Sequence, residues 1–187
     1  MTVTALDPAS YRRAPWKNGG GVSVDIAWDG ETGGECWRFG RTPITTPGPF
    51  SDYSGNDRLQ VLVAGSGLAL QTPDGEIDLR QPFRPVRFAG ETPIVSRLEN
   101  GPVEVVNLIG ERGRVRLDLA VLRAGDRRAL GAGRTIAYCA AGPATVRIGD
   151  GTHELAADGG LDLSGIAGTL AVTGGIVVVG TVTCVSP

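Results

Sequence analysis

The stretch best equipped for chemistry is Pro15-Trp16-Lys17-Asn18-Gly19-Gly20-Gly21, which sets the only lysine of the chain beside an indole, a side-chain amide and three consecutive glycines. An ammonium offers three donors and a charge to a carboxylate, and an amide can read a second polar group. Glycines let the main chain approach a bound group or adopt positive φ, although the same run would also serve as a plain turn ahead of a strand. The phosphate-loop pattern, with lysine and Ser/Thr opening a helix, is absent. A second group is Trp37-Arg38-Phe39-Gly40-Arg41, followed by Gly48-Pro49-Phe50-Ser51 and Gly55-Asn56-Asp57-Arg58. Strand alternation sets Arg38 and Gly40 on one face and Trp37, Phe39 and Arg41 on the other. Arg58 suits either a salt bridge to Asp57 or Asp52 or an anionic ligand. Asn107 ends an apolar run, as a turn-closing side chain or as a pocket group that needs hydrogen-bond partners.

Reactive groups are scarce. Ser51 and Ser66 have no histidine near them in sequence, so no nucleophile with an obvious base is visible. His153 is the single histidine, which excludes a metal centre built from several imidazoles, and no calcium-loop motif is present. Cys36, Cys139 and Cys184 are odd in number and widely spaced, and are expected to be reduced core thiols. No cofactor is expected.

The charge balance, 18 basic against 20 acidic residues for a net −2, supplies no electrostatic footprint for nucleic acid. The longest apolar run, Ile176 to Val182, is far below the roughly 20 residues of a spanning helix. Residues 1–11 lack a basic start followed by an apolar stretch, so a cytoplasmic protein without a membrane partner is expected.

The elements that must position these residues are short strands, because 29 glycines and 12 prolines punctuate segments rich in Val, Ile, Leu and Thr. The expected class is all-β. Alternation and apolar runs predict strands at Val22–Ala27, Trp37–Arg41, Leu59–Val63, Leu68–Gln71, Glu76–Leu79, Val86–Phe88, Ile94–Leu98 and Val103–Leu108. Further strands are predicted at Val115–Leu122, Thr135–Cys139, Thr145–Ile148, His153–Leu155, Thr169–Val172 and Ile176–Val182. Asp74-Gly75 and Asp150-Gly151 read as two-residue hairpin turns, and Tyr11 to Lys17 as a short helical turn limited by Pro15. At an offset of 76 residues, Arg58–Ala64 lies over Arg134–Ala140 and Asp74–Leu79 over Asp150–Leu155, which reads as a duplicated β-barrel unit. In that alignment His153 replaces Ile77 and points inward, as a core residue or as an acid–base group.

Trp16-Lys17-Asn18-Gly19-Gly20-Gly21, Trp37-Arg38, Gly48-Pro49-Phe50-Ser51, Gly55, Asp57-Arg58, Gly101-Pro102 and Asn107-Leu108 closely resemble the motifs of the HutD/Ves family, in order, over about Tyr11 to Arg112. The resemblance implies a bicupin, two small cupin (jelly-roll-like) β-barrels in one chain, here 1–112 and 113–187, packed closely together. It further implies a regulatory protein of histidine utilisation or stress response that binds a small carboxylate such as urocanate or a formylglutamate-like acid without a metal. The motif positions Trp16, Lys17, Asn18, Arg38, Phe50, Ser51, Arg58 and Asn107 would surround the pocket, with Lys17 and an arginine on the carboxylate. Three positions depart from the family pattern: Ile94 stands at the late metal histidine of many cupins, Val105 at a usual acidic residue, and Gly40 at a small hydroxyl residue. Competing readings are a metal-free isomerase or hydrolase using His153 or Lys17, and a protein-interaction barrel. Cupin-like sheets also suggest a homodimer by analogy.

Overall fold

The computed structural model describes residues 2–30 and 35–185. Its strands are β1 (Thr4–Leu6), β2 (Arg12–Pro15), β3 (Val22–Trp28), β4 (Trp37–Ile44), β5 (Gly48–Pro49), β6 (Asn56–Ala64), β7 (Leu68–Thr72), β8 (Gly75–Asp78) and β9 (Val86–Ala89). They continue as β10 (Val95–Leu98), β11 (Val103–Glu111), β12 (Val115–Arg123), β13 (Arg127–Leu130), β14 (Arg134–Ile148), β15 (Gly151–Leu155), β16 (Gly160–Asp162) and β17 (Gly168–Cys184). Helical structure among the described residues is one 3-10 turn, Pro8–Ser10, capped by the Asp7 carboxylate. Residues 12–15, expected as a helical turn, form β2 and pair with β3 instead. Pro15 closes that edge strand, where its missing N–H costs no ladder bond.

Two compact units divide the chain, Arg12–Leu117 and a unit made of residues 2–11 with 118–185. The boundary expected after residue 112 is thus drawn differently. Residues 2–11 join the C-terminal unit because Thr4 to Leu6 pair antiparallel with β16, and the Tyr11 hydroxyl donates to the Asp158 carbonyl at 2.8 Å.

Within Arg12–Leu117 a six-stranded sheet, β2-β3-β4-β11-β6-β9, shares a core with a four-stranded sheet, β5-β10-β7-β8. Ile44, Leu62, Leu68, Leu70, Phe88, Ile94, Val103 and Val105 fill the space between them. Ile94, at the position of the late cupin histidine, is one of these apolar residues. The second unit repeats the pattern: β16-β14-β17-β12 stands for β9-β6-β11-β4, and β15-β14-β17-β13 for β8-β7-β10-β5. Its interior is apolar, from Leu122 through Val146 and Leu170 to Val179. Among the described residues no sheet closes into a ring, so the two closed barrels expected from the sequence are not what the strand pairing shows.

The hairpins obey the 76-residue offset pair by pair. Ala69↔Asp78 and Leu70↔Ile77 become Thr145↔Glu154 and Val146↔His153. The preceding strand does not: Leu62 faces the core of its unit, whereas Ala137 and Cys139, not Tyr138, do so in β14. Register irregularities between Cys139 and Val146 account for the change, because a one-residue slip turns a strand over. The turns also differ from expectation by one residue. The loops are Pro73-Asp74 and Gly149-Asp150, with the positive φ at Gly75 (136°) and Gly149 (57°). Of the three cysteines Cys139 is buried, Cys36 half-buried and Cys184 exposed, so only the first is a core thiol.

One close approach matters for the site. A Cβ on Gly90 would collide with the Tyr53 carbonyl oxygen, while Tyr53 N–H donates to Gly90 O at 3.0 Å and Gly90 N–H to Asn56 O at 2.8 Å. Gly90→Ala is therefore expected to lower stability by about 1–3 kcal/mol, seen as a lower urea midpoint at unchanged m-value.

Candidate functional site

The inner face of the six-stranded sheet changes character along its strands. On β4 the inward residues run Arg38, Gly40, Thr42 and then Ile44; on β6, Arg58, Gln60 and then Leu62; on β11, Ile109, Asn107 and then Val105 and Val103. Register sets Asn107 directly between Gly40 and Gln60. The apolar ends make the core, and the polar ends line a cavity of about 40 Å³ closed by Trp16, Ser23, Phe50, Ser51 and Tyr53. That is room for about three waters, or for a carboxylate with a few further atoms.

A continuous hydrogen-bond chain crosses the cavity wall. Trp16 Nε1–H donates to Ser23 Oγ at 3.0 Å, and Ser23 Oγ lies 2.8 Å from Thr42 Oγ1. Asn107 Nδ2 donates to Thr42 Oγ1 at 3.3 Å, and Asn107 Oδ1 accepts from Gln60 Nε2 at 2.9 Å and from Arg58 Nη2 at 3.3 Å. Arg58 is 6% exposed, and its Nε has no hydrogen-bond partner among the described residues. It pairs with no carboxylate among the described residues. Its neighbour Asp57 instead binds Arg87 at 3.1 Å and Arg112 at 2.8 Å. The guanidinium carbon sits 5.1 Å from the Phe50 ring, 5.2 Å from Tyr53 and 5.1 Å from Phe88. Burial lowers its pKa to about 10, so it stays charged at neutral pH.

The second arginine of the cavity is already matched. Asp25, fully buried, lies 2.7 Å from Arg38 Nη2 through Oδ1 and 2.7 Å from Arg12 Nη2 through Oδ2. The Arg38 contact is an ion pair by distance without the alignment of a hydrogen bond, whereas Arg12 bonds with Nε and Nη2. Gly40 makes room for this carboxylate: a Cβ there would fall 2.9 Å from Asp25 Oδ1 and 2.7 Å from Val24 O. This is the physical reason that a residue larger than glycine does not fit here.

Of the eight site residues expected from the sequence, Trp16, Arg38, Phe50, Ser51, Arg58 and Asn107 converge on the cavity. Lys17 and Asn18 do not line it. Lys17 is exposed, its ammonium 4.5 Å from the Tyr53 ring. Asn18 holds the loop's shape, donating to Pro49 O and accepting from Gly20 N–H, both at 2.9 Å. Trp16 lies against Gly20 and Gly21, where a Cβ on Gly21 would come 2.9 Å from the indole, so the glycine run admits a folded-back tryptophan. Sequence reasoning missed Ser23, Asp25, Thr42, Tyr53 and Gln60. Gln60 carried a signal, a polar residue inside Leu59–Val63, but Ser23 and Thr42 look like ordinary strand residues. His153 is half-buried opposite Val146, in the C-terminal unit.

No group of three or more His, Cys, Asp or Glu gathers as metal ligands among the described residues. The cavity's own donors are guanidinium, amide and hydroxyl groups, which do not fit the imidazole and carboxylate set of a cupin metal. Among the described residues no helix is long and apolar enough to cross a membrane.

The family model for HutD matches residues 8–178. The chain belongs to the HutD family. It is 34% identical over 116 residues to an uncharacterised 21.2 kDa protein in the hutC 3′ region of Pseudomonas putida, covering 60% of this chain and 61% of that protein. The match thus spans less than two thirds of that relative. The structure of HutD from Pseudomonas fluorescens SBW25, solved in a formate condition, superposes at a TM-score of 0.83 with 26% identity, over 99% of this chain and 100% of that one. Salicylate 1,2-dioxygenase from Pseudoaminobacter salicylatoxidans superposes at 0.62 with 8% identity, over 100% of this chain and 86% of that one. That likeness shows the fold alone, a cupin-type β fold.

In this HutD chain the Asp25 cluster is the structural anchor of the cavity wall. Asp25→Asn is expected to destabilise by about 2–4 kcal/mol, below the full cost of breaking a fully buried pair because both guanidiniums keep some water contact. Equilibrium urea unfolding of wild type and variant measures it.

Proposed function

We propose that this HutD chain binds a small organic anion by its carboxylate in the Arg58 cavity, without a metal, and acts as a metabolite-sensing regulator associated with histidine utilisation. The observation that carries the reading is Arg58 itself, a buried cation in an aromatic surround with no carboxylate partner among the described residues. A desolvated charge left unpaired is costly, and an anionic ligand removes that cost with a short, charge-assisted bond. The hutC-region relative supports the pathway, and the formate condition of the Pseudomonas fluorescens structure is in keeping with a small acid. An acid as large as urocanate or formylglutamate would place only its carboxylate in the cavity. Its remainder would lie in the adjoining groove of about 290 Å³, which shares Trp16, Ile44 and Phe50 with the cavity. The repeated strand order supports a bicupin, in which only the unit with Arg58 is a binding unit. A cytoplasmic protein without nucleic-acid or membrane partners completes the reading.

Calorimetric titration with formate and with urocanate tests it. Arg58→Met is expected to lose at least about 30-fold in affinity, the scale of removing one partner of a buried charge pair, and Lys17→Ala no more than about threefold. Unchanged affinity in Arg58→Met would overturn the reading. In wild type the affinity for formate is expected to be flat from pH 6 to 9, since both carboxylate and guanidinium are charged throughout. It should fall as pH rises through about 10, where Arg58 loses its proton. A decline centred between pH 6 and 8 would point to another group.

A further inference from the structure

Resting on the reading of Arg58 as the carboxylate anchor, we infer that the ligand of this cavity also carries an N–H or O–H donor, which Gln60 Oε1 accepts. The inference follows from which groups in the wall can only donate. A guanidinium has no acceptor, so the atom of Asn107 that meets Arg58 Nη2 at 3.3 Å must be its oxygen. That oxygen also receives Gln60 at 2.9 Å, so the Gln60 atom facing it must be the nitrogen. The amide orientations are therefore dictated by the network itself. Gln60 Oε1 is left over: Gln60 is 1% exposed, lines the cavity, and its oxygen has no partner among the described residues.

The opposite end of the chain gives the complementary result. Trp16 Nε1–H can only donate to Ser23, and Asn107 Nδ2 already donates to Thr42. One of the two hydroxyls donates to the other across 2.8 Å, so one hydroxyl proton of the Ser23–Thr42 pair remains unspent. Besides the hydroxyl-bearing Ser51 and Tyr53 of the lining, a ligand thus meets a cation, a spare hydroxyl donor and one buried amide acceptor. A plain carboxylate satisfies the first two and leaves Gln60 Oε1 unpaired. A carboxylate with an amide, formamide, hydroxyl or ring N–H close by satisfies all three. Discrimination follows because a site built around a buried acceptor rejects the analogue that cannot donate to it.

Oxamate and pyruvate provide the test, since they are near-isosteric monoanions that differ in an amide NH₂ against a methyl group. Titration calorimetry of the full chain at pH 7 is run with both, and with formate as the carboxylate-only control. Wild type is expected to bind oxamate at least about tenfold tighter than pyruvate. Gln60→Met is expected to bring the two within about twofold while still binding pyruvate. Equal affinities in wild type, a preference that survives Gln60→Met, or refusal of both acids while formate binds would each overturn the inference and leave the carboxylate reading standing. Failure of all three acids would instead remove the carboxylate reading. Should Gln60→Met not fold, Gln60→Glu replaces it: its carboxylate would pair with Arg58, and loss of formate, oxamate and pyruvate together is the expected result. Retained binding there would overturn the placement of residue 60 beside the anchor.

Discussion

The arrangement of the pocket-bearing unit depends on one desolvated guanidinium. Burying Arg58 without a carboxylate is unfavourable unless its surroundings offset the lost hydration, and three rings together with one amide oxygen do so in part. The nearest acid in sequence, Asp57, is unable to help, because alternation turns it to the other side of β6, where Arg87 and Arg112 take it. Arg38 is withdrawn in the same way by Asp25. The net result, among the described residues, is a pocket whose surplus charge resides on Arg58.

Hydrogen-bond polarity then spreads from that charge through the wall. Arginine and the tryptophan indole are obligate donors at either end, and the two amides between them have their orientations prescribed, while either hydroxyl of the Ser23–Thr42 pair can donate to the other. The geometry that allows this is backbone register: Gly40, Asn107 and Gln60 stand abreast on β4, β11 and β6. Glycine at 40 is required because a buried carboxylate occupies the space of a side chain. Tyr53 reaches Arg58 only because Gly90 lets two backbones approach.

Among the described residues the duplicated topology sets the polar Arg58 cavity in one unit and an apolar cluster at the corresponding place in the other. Both units use the same hairpin register, yet in β14 an irregular stretch between Cys139 and Val146 reverses which residues face inward. Ala137 and Cys139 take the inward places, in an apolar cluster. A polar cavity and an apolar core are therefore two outcomes of one strand order, separated by the irregular register between Cys139 and Val146.

The all-β class, most strand positions, the hairpin repeat and six of the pocket residues were legible in the chain, because alternation, turn residues and the family motifs are local properties. Gln60 is the one polar residue of Leu59–Val63, a signal that by itself names no role. What only the tertiary structure decided was partnership. Lys17 looked like the anchor because it is the lone lysine beside a tryptophan, but chain direction carries it to the rim over Tyr53. Arg58 could have paired with Asp57, Asp52 or a ligand, and Ser23 and Thr42 resembled any strand residue. Those choices rest on which strands lie side by side and in which register, a long-range property that nearest-neighbour spacing does not encode.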